Sequence, residues 1–421
     1  MRTISAIFAA MKYVVLSVVF ILLHCSTGYS QSKNIPYVIL ISFDGFRYDY
    51  PDKFDTPNFK SIRKKGAWAE GLIPSFPSKT FPNHYSIITG LYPGHHGLVD
   101  NTFYDPERGE FYAMKDLKRK NDPYYYGGVP LWRLAKQHGI KTASFFWVGS
   151  ELPQTDLHPD FYYPYDQSIP DTLRIQQVVK WLKLPEKQRP HFITLYFSSP
   201  DHEGHTYGPS SEETKTAVLR NDYILGQLLK SLSLLNLPVN VVIVSDHGME
   251  ELKQHADTYI FLDEIINRKD TSIKVANGGT QAHIYIRDYG KLESTYKSLQ
   301  ASAENFTVYK QADFPKRWHY NTTRSGDLLI TAKPGYYIVD QERKEYLSTI
   351  KPGSPFGAHG YDPENARNMM GIFYAIGPDI IPGKSIQPFE NIHIYPFIAN
   401  LLKLPTPAID GDEKVLRKIR R

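Results

Sequence analysis

The chain has 421 residues and a formal charge of +5 at neutral pH, close enough to balance that no nucleic-acid partner is called for. Its single cysteine, Cys25, excludes a disulfide framework. The fold must therefore rest on a hydrophobic core, which a chain of this length can easily build.

Near the start, Lys12 and an apolar run, Tyr13 to Leu23, read as the first two regions of an export signal. The run is too short for an ordinary membrane-spanning helix. Gly28 and Ser30 suit a cut before Gln31, so residues 1–30 are expected to be a signal and 31–421 a single domain. Met11 is an alternative start. Arg2 and Lys12 are the only formally charged residues of the first thirty, so the mature chain carries +3 and no thiol. A second reading makes Cys25 a lipid-acylation site, although His24 is a poor residue to precede one. The protein is expected to be periplasmic or extracellular, and to touch a membrane only if Cys25 is lipidated.

From Tyr37 the signals alternate between strand and helix. YVILIS (37–42) is a continuous apolar strand of the kind buried on both faces. Thr56-Pro57 opens a short helix that Gly66 closes. PLWRLAKQHG (130–139) is an amphipathic helix, followed by the strand KTASFFW (141–147). A helix over Thr172 to Leu184, a strand FITLYF (192–197) and a long helix from about Ser211, with a Ser210–Glu213 capping box, come next. VNVVIVS (239–245) and GIFYAIG (371–377) complete the strands. This alternation predicts one wound, mostly parallel α/β sheet with helices on both faces. No second apolar core is legible. Residues 102–126 and 257–356 are less regular and read as insertions near the site.

The stretch Pro74 to Asn101 carries the first functional signal. Pro82 fits a first helical position and Gly90 the residue just past a helix end. Thr80 then sits at a helix N-terminus, where free N–H groups and the dipole favour an anion. Taken alone, such a threonine is more often simply a helix cap, and it is the ligand set spread over the rest of the chain that overturns that reading. The second signal lies just past the apolar strands: Asp44-Gly45 after the first, Asp201 and His205 after FITLYF, Asp246-His247-Gly248 after VNVVIVS. Ligands of wound α/β sheets bind outside the carboxyl ends of the strands. Asp and His from three strands, with His359 in the Gly-flanked loop GAHGYDP, make a donor set for zinc or a similar divalent ion. Asp44-Gly45 alone reads as a turn, and Asp201 with His205 alone as a helix cap and a solvated histidine. His95-His96 reads as structural.

These motifs together resemble the nucleotide pyrophosphatase/phosphodiesterase family of the alkaline-phosphatase superfamily. They are FDGFR around Asp44, PSKTFPNHYSIITGLYPGHHGLVDN around Thr80, PDHEGHTYGP around Asp201, SDHGM around Asp246 and GAHGYDP around His359. The resemblance runs from about Tyr37 to Asp410 and, with so few cysteines, suggests a compact bacterial-type member. It implies an alkaline-phosphatase-like fold and two Zn2+ ions. One zinc is held by Asp201, His205 and His359, the other by Asp44, Asp246 and His247. Thr80 is the nucleophile on the second zinc, and Asn101 contacts a phosphoryl oxygen together with backbone N–H groups after Thr80. Two metals about 4 Å apart can clamp an in-line displacement, and phosphoryl transfer needs mainly positioning and positive charge.

The resemblance also implies that Phe81 and Tyr165 sandwich a nucleobase, and Lys79 is a further candidate for substrate contact. The expected substrate is a small nucleotide or other phosphodiester, cleaved to a nucleoside 5′-monophosphate. Two alternatives remain: a lysophospholipid or choline-type phosphodiesterase using the same metal site, and an exported metal- or nucleotide-binding protein without turnover. A sulfatase would need a cysteine or serine at the nucleophile position, where Thr80 stands.

Overall fold

The computed structural model describes residues 35–421; the signal, its cut before Gln31 and the Cys25 anchor fall outside the described residues. The first strand, Tyr37–Phe43 (β1), is buried at every position, as its unbroken apolar run requires. Helix Pro57–Lys65 (α1) starts on Pro57 and ends at Gly66. Strand Ala67–Ala69 (β2) and helices Thr80–Thr89 (α2) and Leu131–Gln137 (α3) follow. Next come strands Thr142–Phe145 (β3) and Phe161–Tyr163 (β4), helix Asp171–Leu182 (α4) and strand Phe192–Phe197 (β5). Helices Asp201–Tyr207 (α5) and Glu212–Ser233 (α6) lead to strand Val239–Val244 (β6).

The stretch 257–356 then forms an antiparallel sheet of its own. Its strands are Ile273–Asn277 (β7), Gln281–Ile286 (β8), Phe306–Lys310 (β9) and Leu328–Ala332 (β10), in the order β7-β8-β10-β9. The chain returns through strands Phe373–Ile376 (β11) and Lys384–Ile386 (β12) to helix Ile394–Leu401 (α7).

The large sheet has the order β12-β2-β11-β6-β1-β5-β3-β4. β1 pairs in parallel with β5 and β6, β3 with β5 and β4, and β12 with β2; β11 alone runs antiparallel, to β6 and β2. This is the wound, mostly parallel α/β sheet that the strand–helix alternation predicts. Odd residues of β1, such as Ile39 and Ile41, join Phe59 of α1, Val178 of α4 and Val218 and Leu225 of α6 in one apolar cluster. Burying each such side chain contributes ~1.5–3 kcal/mol. Even residues face the other side, where Ser42 Oγ meets His84 Nε2 of α2 at 2.8 Å.

Several boundaries differ from the expectations. Pro82 is the third residue of α2, still within the turn whose N–H groups lack helical partners. Ser211, not Ser210, caps α6 by accepting the Thr214 N–H at 3.1 Å, while Ser210 accepts from Lys53. β3 stops at Phe145 because Phe146 takes a positive φ of 65° and turns the chain toward the site. A second apolar core does exist: Ile284, Leu328, Ile330, Leu299 and Phe306 pack under the insertion sheet with Ala358 and Met369.

Candidate active site

The parallel register sets Ile41 level with both Leu195 and Ile243, so three adjacent strands end together. The chain leaves them at Asp44, Ser198 and Ser245. Asp44 N–H donates to Phe197 O at 2.9 Å and Asp201 N–H to Asp44 O at 3.1 Å, which sews two of these ends side by side. Gly45 is required between them: its φ is +65°, and a Cβ there would lie 2.9 Å from Asp201 Cα. Thr80 opens α2, closed at Gly90 in the left-handed region, and its Oγ lies 3.2 Å from His247 Nε2. His359 arrives from the loop after strand 355–358, whose partner is 250–253.

The histidines are fixed in one tautomer. His205, His247 and His359 each set Nδ1 against a backbone carbonyl: Gly357 O at 2.8 Å, Gly248 O at 2.8 Å and Ser78 O at 2.7 Å. A carbonyl only accepts, so Nδ1 carries a proton in each ring and Nε2 is the nitrogen left to face the site. These Nε2 atoms face carboxylates, and against the opposing effect of burial Asp246 raises the pKa of His247. His247 Nε2 lies 3.1 Å from Asp246 Oδ2 and 3.5 Å from Asp44 Oδ1. His205 and His359 Nε2 lie 3.4 Å and 3.8 Å from Asp201 Oδ1, and the His247 and His359 rings stack at 3.5 Å.

Asp44 Oδ1, Asp201 Oδ1 and Asp246 Oδ2 are buried without a hydrogen-bond partner. Among the described residues no lysine or arginine pairs with these carboxylates. Burial, with repulsion from Asp246 and Asp201, pushes the Asp44 carboxyl well up. At Asp246 burial acts in the same sense, but the His247 and His84 rings outweigh it and hold the group at about 2. His359 is kept neutral, first by burial and then by the charges of His247, Lys79 and His205. Orphaned carboxylate oxygens facing imidazole Nε2 atoms, which ligate once deprotonated, fit divalent cations. Two donor groups lie within 4.8 Å: Asp201, His247 and His359, and Asp44, His84 and Asp246.

The profile described as Type I phosphodiesterase / nucleotide pyrophosphatase matches residues 38–362. The chain is 35% identical over 397 residues to ectonucleotide pyrophosphatase/phosphodiesterase family member 1 from Homo sapiens, covering 91% of this chain and 41% of that one. It is 34% identical over 398 residues to a venom phosphodiesterase from Crotalus durissus collilineatus, covering 92% and 46%. The chain belongs to the nucleotide pyrophosphatase/phosphodiesterase family.

It spans less than half the length of these curated relatives. Human ectonucleotide pyrophosphatase/phosphodiesterase 5 superposes on it with a TM-score of 0.84 at 29% identity, over 91% of this chain and 100% of that one. The murine counterpart, an inactive threonine-to-alanine variant in complex with AMP, does so with 0.82 at 28% identity, over 92% and 100%. The family's fold is thus alkaline-phosphatase-like here as well.

A cleft of about 680 Å³ opens onto the cluster in this family member, lined by Thr80, Phe81, Asn101, Tyr165, Asp201 and His359 among others. Tyr165 is 44% exposed and its ring lies 5.1 Å from Phe146. Asn101 Oδ1 accepts the Phe81 N–H at 3.0 Å, which leaves its amide NH2 free. The helix N–H groups expected to meet a phosphoryl oxygen are therefore partly spoken for, since Phe81's is used and Pro82 has none. Lys79, expected at the substrate, does not line the cleft. It is buried and donates to His359 O at 2.7 Å, and burial pulls its ammonium down to about 8.

Two contributors escaped the sequence reading. Tyr196 OH donates to Asp44 Oδ2 at 2.6 Å. His84 lies 3.4 Å from Asp246 Oδ2, but its Nε2 is at Ser42 Oγ and its Nδ1 at Thr80 O, 3.0 Å away. Both ring nitrogens are occupied, so His84 orients Asp246 rather than offering a lone pair. Its place four residues after Thr80, on the same helix face, is the signal that points to it.

Proposed function

We propose that the chain is an exported phosphodiesterase and nucleotide pyrophosphatase. It would use two Zn2+ ions and a covalent phosphothreonine to release nucleoside 5′-monophosphates. The observation that carries this reading is the Thr80 hydroxyl, set at a helix N-terminus beside orphaned carboxylates and imidazole Nε2 atoms, at the floor of an aromatic-lined cleft. Asp201, His205 and His359 would hold one ion. Asp44, Asp246 and His247, with Thr80, would hold the other; His247 also lies within 4.8 Å of the Asp201 and His359 donors, but its short contacts to Asp44 and Asp246 favour this partition. When bound, the ions supply the positive charge that makes the hydroxyl nucleophilic and stabilises the entering and leaving oxygens.

The chain's own residues supply the rest. Thr80 Oγ gives up its proton and forms a bond to phosphorus in line with the departing oxygen, whose bond to phosphorus breaks and which takes up a proton. Water then forms a bond to the same phosphorus from the side the first leaving group vacated, the phosphorus–Oγ bond breaks, and a proton of that water returns to Thr80 Oγ. Asn101's free NH2 group donates to an equatorial oxygen. Phe81 and Tyr165 on the cleft wall offer stacking surfaces for a nucleobase, worth ~1–3 kcal/mol each. The AMP complex of the murine neighbour supports a nucleotide substrate, and relatives named as ecto- and venom enzymes support export. Among the described residues no helix is long and apolar enough to cross a membrane.

The test is a panel of dinucleotide, nucleotide-pyrophosphate, choline-phosphate diester and simple monoester substrates, each assayed with and without chelator. Nucleotide diesters and pyrophosphates should lead. A clear preference for choline-phosphate diesters would move the protein to the lipid-cleaving alternative, and no turnover of any would leave the binding protein.

A further inference from the structure

The insertion sheet touches the proposed machinery through a buried polar pair that the mechanism does not use. Asp100, fully buried, accepts the Asn101 N–H on Oδ1 at 2.6 Å. Its Oδ2 accepts from His283 Nε2 at 2.9 Å and from Gln281 Nε2. His283, also fully buried, sets Nδ1 against Ser325 O at 3.0 Å. The ring is thus held between two oxygen atoms, Asp100 Oδ2 on one side and Ser325 O on the other. Gln281 and His283 are alternate residues of β8 and point to the same face.

The contacts around the pair share one target. Tyr320 OH donates to Val99 O at 2.6 Å, Tyr104 N–H to Tyr285 OH at 3.1 Å, and Arg324 to Gly97 O at 3.0 Å and to Asp105 Oδ2 at 2.9 Å. Residues 97–105 are thus held along their length by the insertion, and Asn101 sits at the middle. Besides Asp100, His283 and the Arg324–Asp105 pair, the titratable groups here include Lys79, Tyr285, Tyr320 and Tyr337, which feel the Asp100 charge.

We propose that Asp100 and His283 are positioning residues that aim the Asn101 amide at the phosphoryl oxygen, so that the insertion sheet tunes the rate of phosphoryl transfer. Asn101 is pinned twice, by Asp100 through its backbone N–H and by the Phe81 N–H through Oδ1. Loosening the first pin lets the NH2 group wander from the place where charge develops, which costs rate and not ground-state binding. The inference rests on the phosphodiesterase reading.

The test is a double-mutant cycle with His283→Gln and Asn101→Ala, read as kcat and KM on a nucleotide diester, with metal content and melting temperature measured for each variant. Asn101→Ala alone should lose about 10²- to 10³-fold in kcat, as for other oxyanion donors. His283→Gln alone should lose about 10-fold in kcat with KM nearly unchanged, in the range seen when supporting hydrogen bonds are removed. In the Asn101→Ala background His283→Gln should cost nothing further. Losses that multiply, or a loss confined to KM, would overturn the proposal. Gln281→Leu, which removes one donor to Asp100 and keeps the His283 contact, repeats the cycle should His283→Gln not fold.

A readout without turnover separates this inference from the functional reading. The side-chain NH2 resonances of Asn101, identified by their loss in Asn101→Ala, should move in His283→Gln. Wild-type protein inactive on every substrate sinks the function alone. An Asn101 resonance that stays in place sinks the positioning role.

Discussion

Removing the proposed metal ions is the most informative perturbation. Without them Asp44, Asp201 and Asp246 keep buried oxygens that nothing satisfies, and burial with mutual repulsion drives the Asp44 carboxyl toward its protonated form. An ion present at 100 times its Kd stabilises the folded state by about 2.7 kcal/mol, so two independent sites add about 5 kcal/mol. Unfolding entropy of about 2.1 cal/mol/K per residue gives about 0.8 kcal/mol/K over roughly 390 described residues. Chelation should therefore lower the melting midpoint by about 6–7 °C and abolish turnover, with both restored by zinc. Binding must also release the proton that Asp44 takes up when metal-free, so zinc affinity should rise with pH. Scanning calorimetry of dialysed and zinc-restored protein measures the shift, and titration in buffers of different ionisation heat measures the proton. A chelated protein that melts at the same temperature and stays active would refute the reasoning.

Three further outcomes are expected from the same geometry. Thr80→Ala should abolish turnover while leaving the fold and most of the bound metal, and Thr80→Ser should keep substantial activity; near wild-type turnover by the alanine variant would make water the direct nucleophile. Phe81→Ala or Tyr165→Ala should lose ~1–3 kcal/mol of kcat/KM on nucleotides, roughly 5- to 150-fold. A small chromogenic diester should be nearly unaffected, and equal losses on both would make the rings structural. His96 is held at about 3 by burial, with Nδ1 accepting the Leu98 N–H at 3.2 Å. Its folded pKa lies below the unfolded value of 6.5, so its stabilising effect is complete above that value and fades at about 1.4 kcal/mol per unit as pH falls toward 3. Denaturant titrations at several pH values should show a shallower acid slope in His96→Gln, and identical slopes would contradict the assignment.

The sequence made the frame of this site legible because the physics there is local. A strand buried on both faces must read as an unbroken apolar run, and the site residues follow within four residues of its end, so Asp44, Asp201 and Asp246 are found from three runs. What escaped the reading was non-local. His84 and Tyr196 face inward from a helix and a strand whose sequences carry no sign of Asp246 or Asp44. Lys79 looked available to substrate because it adjoins Thr80, yet its direction was set by the His359 loop, 280 residues away. The second core stayed hidden because its strands are five or six residues long with mixed polarity; Asn277-Gly278-Gly279, closing the hairpin between β7 and β8, is the turn signal that could have exposed it.

The charges around the cleft carry the substrate argument one step further. A phosphate monoester brings a second negative oxygen that needs a cation, whereas a diester carries an organic group there. Arg47 is the arginine within the motifs, but its guanidinium is taken by Asp49, at 2.6 and 2.9 Å, and by Met249 O. Lys79 is buried against His359 O. Lys120 lines the cleft, yet Glu151 holds it at 2.7 Å. That leaves Lys115, exposed on the cleft wall and without a salt bridge among the described residues. Replacing the organic substituent by a charged oxygen would forfeit the aromatic wall and find little positive charge in return. The cleft should therefore discriminate through what it lacks: monoesters ought to bind weakly and turn over slowly, and introducing an arginine on the cleft wall beside Asn101, as in Met114→Arg, should raise monoester hydrolysis relative to diester hydrolysis. An unchanged ratio in that variant would mean that the ions, not the side chains, set the preference.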